Sequence, residues 1–130
     1  MKRTGFTLIE LLVAMTIVAI LMGIALVSFQ GARKSSRDGK RKADLEQVRS
    51  ALEMYRADNG GYPVGSLSSG GNILPYMTIP DDPVPGRKYI YSSDGVTYNL
   101  CAALEIGGAA VCGLCGDDGD IACNYQRTNP

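Results

Sequence analysis

The chain of 130 residues contains no histidine and no tryptophan, and its basic and acidic side chains balance to a formal net charge of +0. Histidine is the most frequent general base and a common metal ligand, so its absence removes the usual centre of acid–base and metal catalysis. A balanced charge predicts no general attraction to nucleic acids or membrane surfaces. The sequence also offers no nucleophile–base arrangement and no phosphate-binding glycine loop. We therefore expect a protein that is not an enzyme.

Proline is absent between Phe6 and Tyr62, and the apolar run from Phe6 to Phe29 contains one ionisable side chain, Glu10. A helix that rises about 1.5 Å per residue is long enough over this run to cross a bilayer core of about 30 Å. A carboxylate near one end of such a segment costs on the order of 1–3 kcal/mol unless it meets a cation. Cleavage after Gly5 would give Phe6 a free amine one helical turn from Glu10, which predicts that the two groups pair. The alternative is a signal anchor that tolerates a glutamate.

The segment from Lys2 to Val13, KRTGFTLIELLV, resembles the class III signal of type IV prepilins and of the pseudopilins of type II secretion. The resemblance implies that a membrane-embedded prepilin peptidase cuts after Gly5 and methylates the amine of Phe6. It also implies that Glu10 pairs with the Phe6 amine of a neighbouring subunit while a filament grows. The implied partners are the peptidase, the membrane, an inner-membrane assembly platform and further copies of the chain in a helical filament.

The chain is interpreted as three segments: a leader (1–5), a hydrophobic transmembrane and assembly helix (6–30), and an exported head (31–130). Leu45, Val48, Leu52 and Tyr55 recur at helical spacing, which predicts an amphipathic continuation of the helix. The glycines after Asn59 predict its end. We therefore expect one helix over 6–58, and the resemblance marks 23–31 as the region that melts on assembly. Close helix packing at these glycines is the alternative.

Two β-rich segments, 88–91 and 96–103, are joined by the turn signal Ser92-Ser93-Asp94-Gly95, which predicts a hairpin. A third strand is expected over 109–112, and the connection 64–86 is expected to be irregular, with a short helix near 73–76. The runs 58–63 and 79–83 resemble the major pseudopilin. The implied fold class is α+β, with a long N-terminal helix, its first half membrane-spanning, packed on a small antiparallel sheet.

Four cysteines lie in the last third of the chain: Cys101, Cys112, Cys115 and Cys123. Two disulfides are the expected state of a small exported domain. If Gly107-Gly108 forms a two-residue turn, Cys101 lies opposite Cys112, which leaves Cys115 for Cys123. We favour this pairing. A redox motif at 112–115 and a four-cysteine zinc site are the alternatives.

An acidic turn follows these cysteines and contains Asp117, Asp118 and Asp120. Closely spaced aspartates beside a glycine turn supply the oxygen ligands that calcium prefers. The spacing does not match a helix–loop–helix calcium motif. Major pseudopilins, which the chain resembles, bind calcium in a C-terminal loop, so calcium is the one cofactor that the sequence suggests. A solvated acidic turn is the alternative and is favoured.

A basic run follows the apolar segment, with six lysines and arginines: Arg33, Lys34, Arg37, Lys40, Arg41 and Lys42. Counted by the positive-inside rule, this run would place the rest of the chain in the cytoplasm. The cysteines and the signal motif favour the opposite orientation, with the head outside the cytoplasmic membrane. We interpret the run as a solvated face or as a site for anionic headgroups, cell-wall polyanions or DNA.

The combined features predict a structural subunit of a type IV pilus or a type II secretion pseudopilus that polymerises through its apolar helix after cleavage. The alternative is a minor or competence pilin whose head binds DNA or a surface ligand. Aromatic side chains for stacking bases do not alternate with the basic run, which weakens the alternative.

Overall fold

The computed structural model describes residues 5–73 and 75–129. The chain divides between Lys34 and Ser35 into two compact units. One long helix, α1 (Leu8–Asn59), runs through this boundary, so the predicted helix over 6–58 is confirmed within two residues at either end. The first unit consists of the early part of α1 and the residues just before it. The second unit, residues 35–129, is the head.

Helix α1 ends where glycine permits a left-handed backbone. Gly60 has a φ of 75°, and its N–H donates to the carbonyl of Arg56 at 2.8 Å. The side-chain amide of Asn59 donates to the carbonyl of Tyr55 at 2.9 Å. These two bonds satisfy carbonyl groups that the end of a helix leaves without partners.

The described part of the head contains eight short strands after the helix. They are β1 (Gly65–Ser68), β2 (Asn72–Ile73), β3 (Met77–Thr78), β4 (Ile90–Ser93), β5 (Tyr98–Ala102), β6 (Cys112–Leu114), β7 (Ala122–Cys123) and β8 (Tyr125–Thr128). An antiparallel four-stranded sheet has the order β1-β4-β5-β8, and two separate two-stranded ladders pair β2 with β3 and β6 with β7. The predicted hairpin is confirmed as β4 and β5, with Asp94-Gly95 in the turn.

The main core lies between the second half of α1 and one face of the four-stranded sheet. The helix contributes the apolar stripe that its sequence period predicts, with Leu45, Val48 and Leu52 fully buried. The sheet side is rich in tyrosine and leucine: Tyr89, Tyr91, Tyr98 and Leu100 are buried in the same cluster. The α+β fold class, with a long helix packed on a small antiparallel sheet, is confirmed.

Two local predictions are wrong. Residues 109–111 form no strand, and Cys112 begins β6, which pairs with β7 rather than with the main sheet. The neighbour of β5 on that side is β8. The short helix expected near 73–76 is also wrong, because Ile73 ends β2 and is buried, and a single turn closed by Tyr76 N–H to Ile73 O (2.8 Å) leads into β3.

Candidate functional site

The start of α1 is closed by reciprocal hydrogen bonds between Thr7 and Glu10. The backbone N–H and the hydroxyl of Thr7 donate to Oε2 of Glu10 at 3.1 and 2.9 Å, and the Glu10 N–H donates to the Thr7 hydroxyl oxygen at 3.3 Å. This is a capping box, in which residues three apart satisfy the free N–H groups of a helix start. The Thr-x-x-Glu spacing carries this signal in the sequence. Glu10 therefore already has a partner within its own chain.

Downstream of Glu10, the helix of the first unit exposes large apolar side chains all around its axis. Leu11 is 58% exposed, Ile24 is 67% exposed, and Val13, among the more covered, is still 49% exposed. By length and composition, α1 is the one helix in the described residues that is apolar enough to cross a membrane. An isolated soluble chain does not stably expose so much apolar surface, so this segment requires lipid or other helices around it.

In the head, a cluster of five charged side chains ties α1 to two distant loops. The Arg41 cluster consists of Arg37, Asp38, Arg41, Asp82 and Glu105. Arg41 donates through Nε and Nη2 to the carboxylate of Asp82 at 2.7 and 2.8 Å. Its Nη1 donates to Asp38 at 2.7 Å and to Glu105 at 3.1 Å. The Arg41 side chain is 0% exposed, so this ion-pair network is part of the interior.

Asp38 and Glu105 complete the Arg41 cluster by fixing the chain after β5. The two oxygens of Asp38 accept the successive backbone N–H groups of Glu105 and Ile106 at 2.9 and 2.8 Å. Glu105 in turn accepts two bonds from Arg37, both of 2.6 Å. Charge-assisted bonds of this bidentate kind are short and directional. They hold residues 105 and 106 against the helix.

The same contacts favour the charged forms of Asp38, Glu105 and Arg41. Burial disfavours the charge on Asp38, but the N–H groups of Glu105 and Ile106 and the Arg41 guanidinium outweigh burial, so the pKa of Asp38 is lowered. Hydrogen bonding to Arg37 lowers the pKa of Glu105 to about 2. Burial also opposes the charge on Arg41, yet its bonds to Asp82 and Asp38 raise the pKa of the guanidinium above its usual value. At neutral pH, buried charge is therefore matched by buried countercharge.

This arrangement corrects the interpretation of the basic run as a free polyanion site or solvated face for two of its six cations, Arg37 and Arg41. Arg41 is buried and Arg37 is engaged with Glu105. The other four, Arg33, Lys34, Lys40 and Lys42, are exposed. Lys42 lies over the ring of Tyr125, 5.6 Å from its centroid. Sequence reasoning missed Asp38, Asp82 and Glu105. Only the Asp38–Arg41 spacing of three residues was a local signal.

All four cysteines form disulfides, Cys101 with Cys112 and Cys115 with Cys123. These are the pairs that the sequence favoured, although the expected two-residue turn at Gly107-Gly108 is not present, since residues 103–111 form an irregular loop. Sulfur atoms held in disulfides are not available as zinc ligands or as a redox thiol pair.

The acidic turn lies at the surface of the head. Asp117, Asp118 and Asp120 are exposed, and the carboxylate of Asp120 lies over Gly116, where a Cβ would have no room. In residues 5–73 and 75–129, no group of three or more histidine, cysteine, aspartate or glutamate side chains is placed to hold a metal ion. Calcium binding at this turn therefore stays a prediction from the resemblance, because backbone carbonyls and water also serve as calcium ligands.

Comparisons with known proteins agree with the geometry of the N-terminal segment. Residues 1–26 match the family model of the prokaryotic N-terminal methylation motif. The chain is 32% identical over 145 residues to type II secretion system core protein G of Escherichia coli, and the match covers 98% of this chain and 91% of the relative.

Two further relatives carry the same name. The protein of Vibrio cholerae is 34% identical over 88 residues, which covers 68% of this chain and 57% of the relative. That of Dickeya chrysanthemi is 28% identical over 80 residues, which covers 62% of this chain and 52% of the relative. No solved structure is significantly similar to this chain. From the methylation motif, the exposed apolar helix and the near full-length match, the chain belongs to the type II secretion system core protein G family of pseudopilins.

Proposed function

We propose that this chain is a structural, non-catalytic subunit of a type II secretion pseudopilus. It is anchored in the cytoplasmic membrane by α1, with the head outside, and it polymerises through α1 after a prepilin peptidase has cut behind Gly5. The observation that carries the proposal is the exposed apolar first part of α1, a helix that begins two residues after Phe6. The two disulfides support an exported head, because such bonds persist in oxidising compartments.

Assembly moves α1 from lipid into a bundle of like helices. Lipid tails and neighbouring helices are similarly apolar, so the transfer itself changes the free energy little, and specific contacts decide the register. Cleavage creates a cation at the Phe6 amine. A neighbour's Glu10 is the carboxylate in the apolar run that can pair with it, and the pair removes two uncompensated charges from a medium of low dielectric constant.

The capping box offers an alternative role for Glu10, which is to cap its own helix rather than to pair with a neighbouring subunit. If Glu10 serves only to cap its own helix, its role depends on Thr7 and not on its charge. If Glu10 pairs with a neighbour's amine, the charge matters and Thr7 does not. Glu10→Gln keeps an oxygen that can accept the Thr7 bonds but removes the charge, whereas Thr7→Ala removes the capping partner and keeps the charge.

The experiment therefore measures filaments of three variants, Glu10→Gln, Glu10→Ala and Thr7→Ala, in cells that supply the peptidase and the assembly platform. Filaments sheared from the cells are quantified against total processed subunit. We expect normal cleavage throughout, loss of filaments in both Glu10 variants, and near wild-type filaments in Thr7→Ala. Wild-type filament yield from Glu10→Gln would refute the pairing model, and equal loss in Thr7→Ala would assign Glu10 to capping.

The alternative of a DNA-binding pilin has no supporting contact in the head. Two of the six cations of the basic run, Arg37 and Arg41, are paired with carboxylates. Neutralising them would disturb the fold rather than report on DNA. Of the basic run, the exposed cations that lie in the head are Lys40 and Lys42, and two lysines are a small electrostatic site for a phosphate backbone.

A further inference from the structure

Strand β5 is buried on both faces, and a different cluster covers each face. Tyr98, Leu100 and Ala102 point to the main core with α1. Cys101 and its cross-strand partner Ile90 point to the opposite face, because successive side chains of a strand alternate. The burial of Leu100, Cys101 and Ala102 in succession is therefore explained by two separate clusters, while Asn99 is exposed.

The cluster on the second face is built largely from sulfur. Its buried members are Cys101, Ala103, Cys115 and Cys123, and Ile90, Cys112 and Ile121 pack against them. The main core contains no cysteine within the described residues. Without the four cysteines, the second cluster keeps one alanine and two isoleucines, too little apolar area to order a segment of about twenty residues.

The segment that this cluster orders, residues 107–123, has few other attachments. Before it, Asp38 fixes residues 105 and 106. After it, the side chain of Asn124 accepts a bond from the Leu104 N–H at 2.7 Å. Within it, the longer-range backbone bonds join residues 115–117 to residues 86–88, through Lys88 N–H to Cys115 O at 2.8 Å and Asp117 N–H to Gly86 O at 3.0 Å.

The segment also leaves two of its large apolar side chains exposed. Val111 is 55% exposed and Leu114 is 53% exposed. The ladder between β6 and β7 is short and irregular, with a register shift between Cys112 and Leu114. A two-stranded ladder of this size is not stable alone in water. Covalent cross-links are the remaining means of ordering it.

We propose that residues 107–123, the disulfide segment, form a redox-dependent module that orders only when both disulfides are closed, whereas the main core of the head folds with its thiols reduced. Closing each bond takes two protons and two electrons from a pair of cysteine thiols. A disulfide-bearing oxidant outside the cytoplasm receives them and leaves as a dithiol. Oxidation is then the final step in maturation of the head. This inference does not depend on the proposed filament.

Hydrogen exchange of the full-length chain in detergent micelles, read by mass spectrometry, tests the proposal. The oxidised protein is compared with protein reduced by dithiothreitol, whose two thiols give up two electrons and close into a ring as each protein disulfide opens. A variant with all four cysteines replaced by alanine is the second sample, since Cys115 and Cys123 are buried and can resist reduction.

Peptides from residues 107–123 report on the disulfide segment, and peptides from 45–55 and 90–100 report on the main core. We expect exchange in the disulfide segment to rise about 100-fold in both samples. Exchange in the main core should stay within about threefold of the oxidised protein. Equal loss of protection in both regions would overturn the proposal by making the head one cooperative unit. Unchanged protection of the segment in the alanine variant would overturn it as well.

Discussion

Replacing Arg41 with methionine removes the cation at the centre of the Arg41 cluster while it keeps a side chain of similar length. Asp82 loses both of its bonds to Arg41 and keeps one, from the N–H of Val84 at 2.8 Å. Its side chain is 1% exposed, so water cannot replace what is lost. Asp38 loses its bond to Arg41 but keeps the bonds from two backbone N–H groups, so it is destabilised less than Asp82.

The cost follows from leaving a buried carboxylate without its countercharge. Breaking a buried ion pair by removing one partner costs about 3–5 kcal/mol. Because Glu105 keeps Arg37 and Asp38 keeps its backbone bonds, we expect about 3 kcal/mol, at the lower end of that range. For a head of this size, urea unfolding has a slope of about 1–2 kcal/mol per molar, so the unfolding midpoint should fall by about 2 M.

The assay is urea unfolding of the full-length chain in micelles, followed by the near-ultraviolet circular dichroism of tyrosine. The chain has no tryptophan and seven tyrosines, and four of them lie in the main core, so the signal reports on the head. Lys40→Met is the matched control, since Lys40 is the exposed neighbour on the same helix and its loss should change stability by less than about 0.5 kcal/mol.

Arg41→Lys separates charge from geometry. Lysine keeps the positive charge but cannot make the paired bonds of the guanidinium to Asp82, so its midpoint should fall between those of wild type and Arg41→Met. A midpoint for Arg41→Met equal to that of Lys40→Met would refute the reasoning, because the network would then contribute nothing that a methionine cannot replace.

Three further predictions concern two buried tyrosines and the loss of stability at acidic pH. Among the described residues the buried hydroxyl of Tyr98 has no hydrogen-bond partner, so Tyr98→Phe should leave stability equal or higher. Tyr89→Phe breaks a buried 2.8 Å bond to Asp44 and should cost about 1–3 kcal/mol in urea unfolding. The ion pair of Glu105 with Arg37 lowers the pKa of Glu105 to about 2, against about 4.3 for an unfolded glutamate. Its contribution is therefore complete above about pH 5 and is lost as the pH falls towards 2. The melting temperature of the wild-type protein should fall as the pH is lowered from about 5 to 2. In Glu105→Gln the melting temperature should depend less on pH over the same range.

Features that depend on neighbouring residues were readable from the sequence. The end of α1 at Asn59 follows from the two glycines after it, and the β4–β5 hairpin follows from Asp94-Gly95 between two β-rich runs. The capping box has a local signal of the same kind, Thr7 and Glu10 three residues apart, but the sequence analysis did not identify it. The apolar stripe of the second half of α1 identified the helix side of the main core.

Features that depend on distant residues were not readable. Asp82 and Glu105 meet Arg41 from 41 and 64 residues away, and no local period marks either one as its partner. Strand β8 pairs with β5 across the whole disulfide segment. The disulfide pairs were favoured for the wrong reason, since Cys112 belongs to β6 and not to a strand beside β5.

The central claim, that this chain is a prepilin-peptidase substrate which becomes a pseudopilus subunit, is tested most directly by its intact mass. The full chain is co-expressed with a prepilin peptidase, purified from membranes and measured by mass spectrometry, with Gly5→Leu as the uncleaved control. The account predicts a mass that lacks residues 1–5 and carries one added methyl group. An uncut chain, in cells that process a known prepilin, would contradict the account.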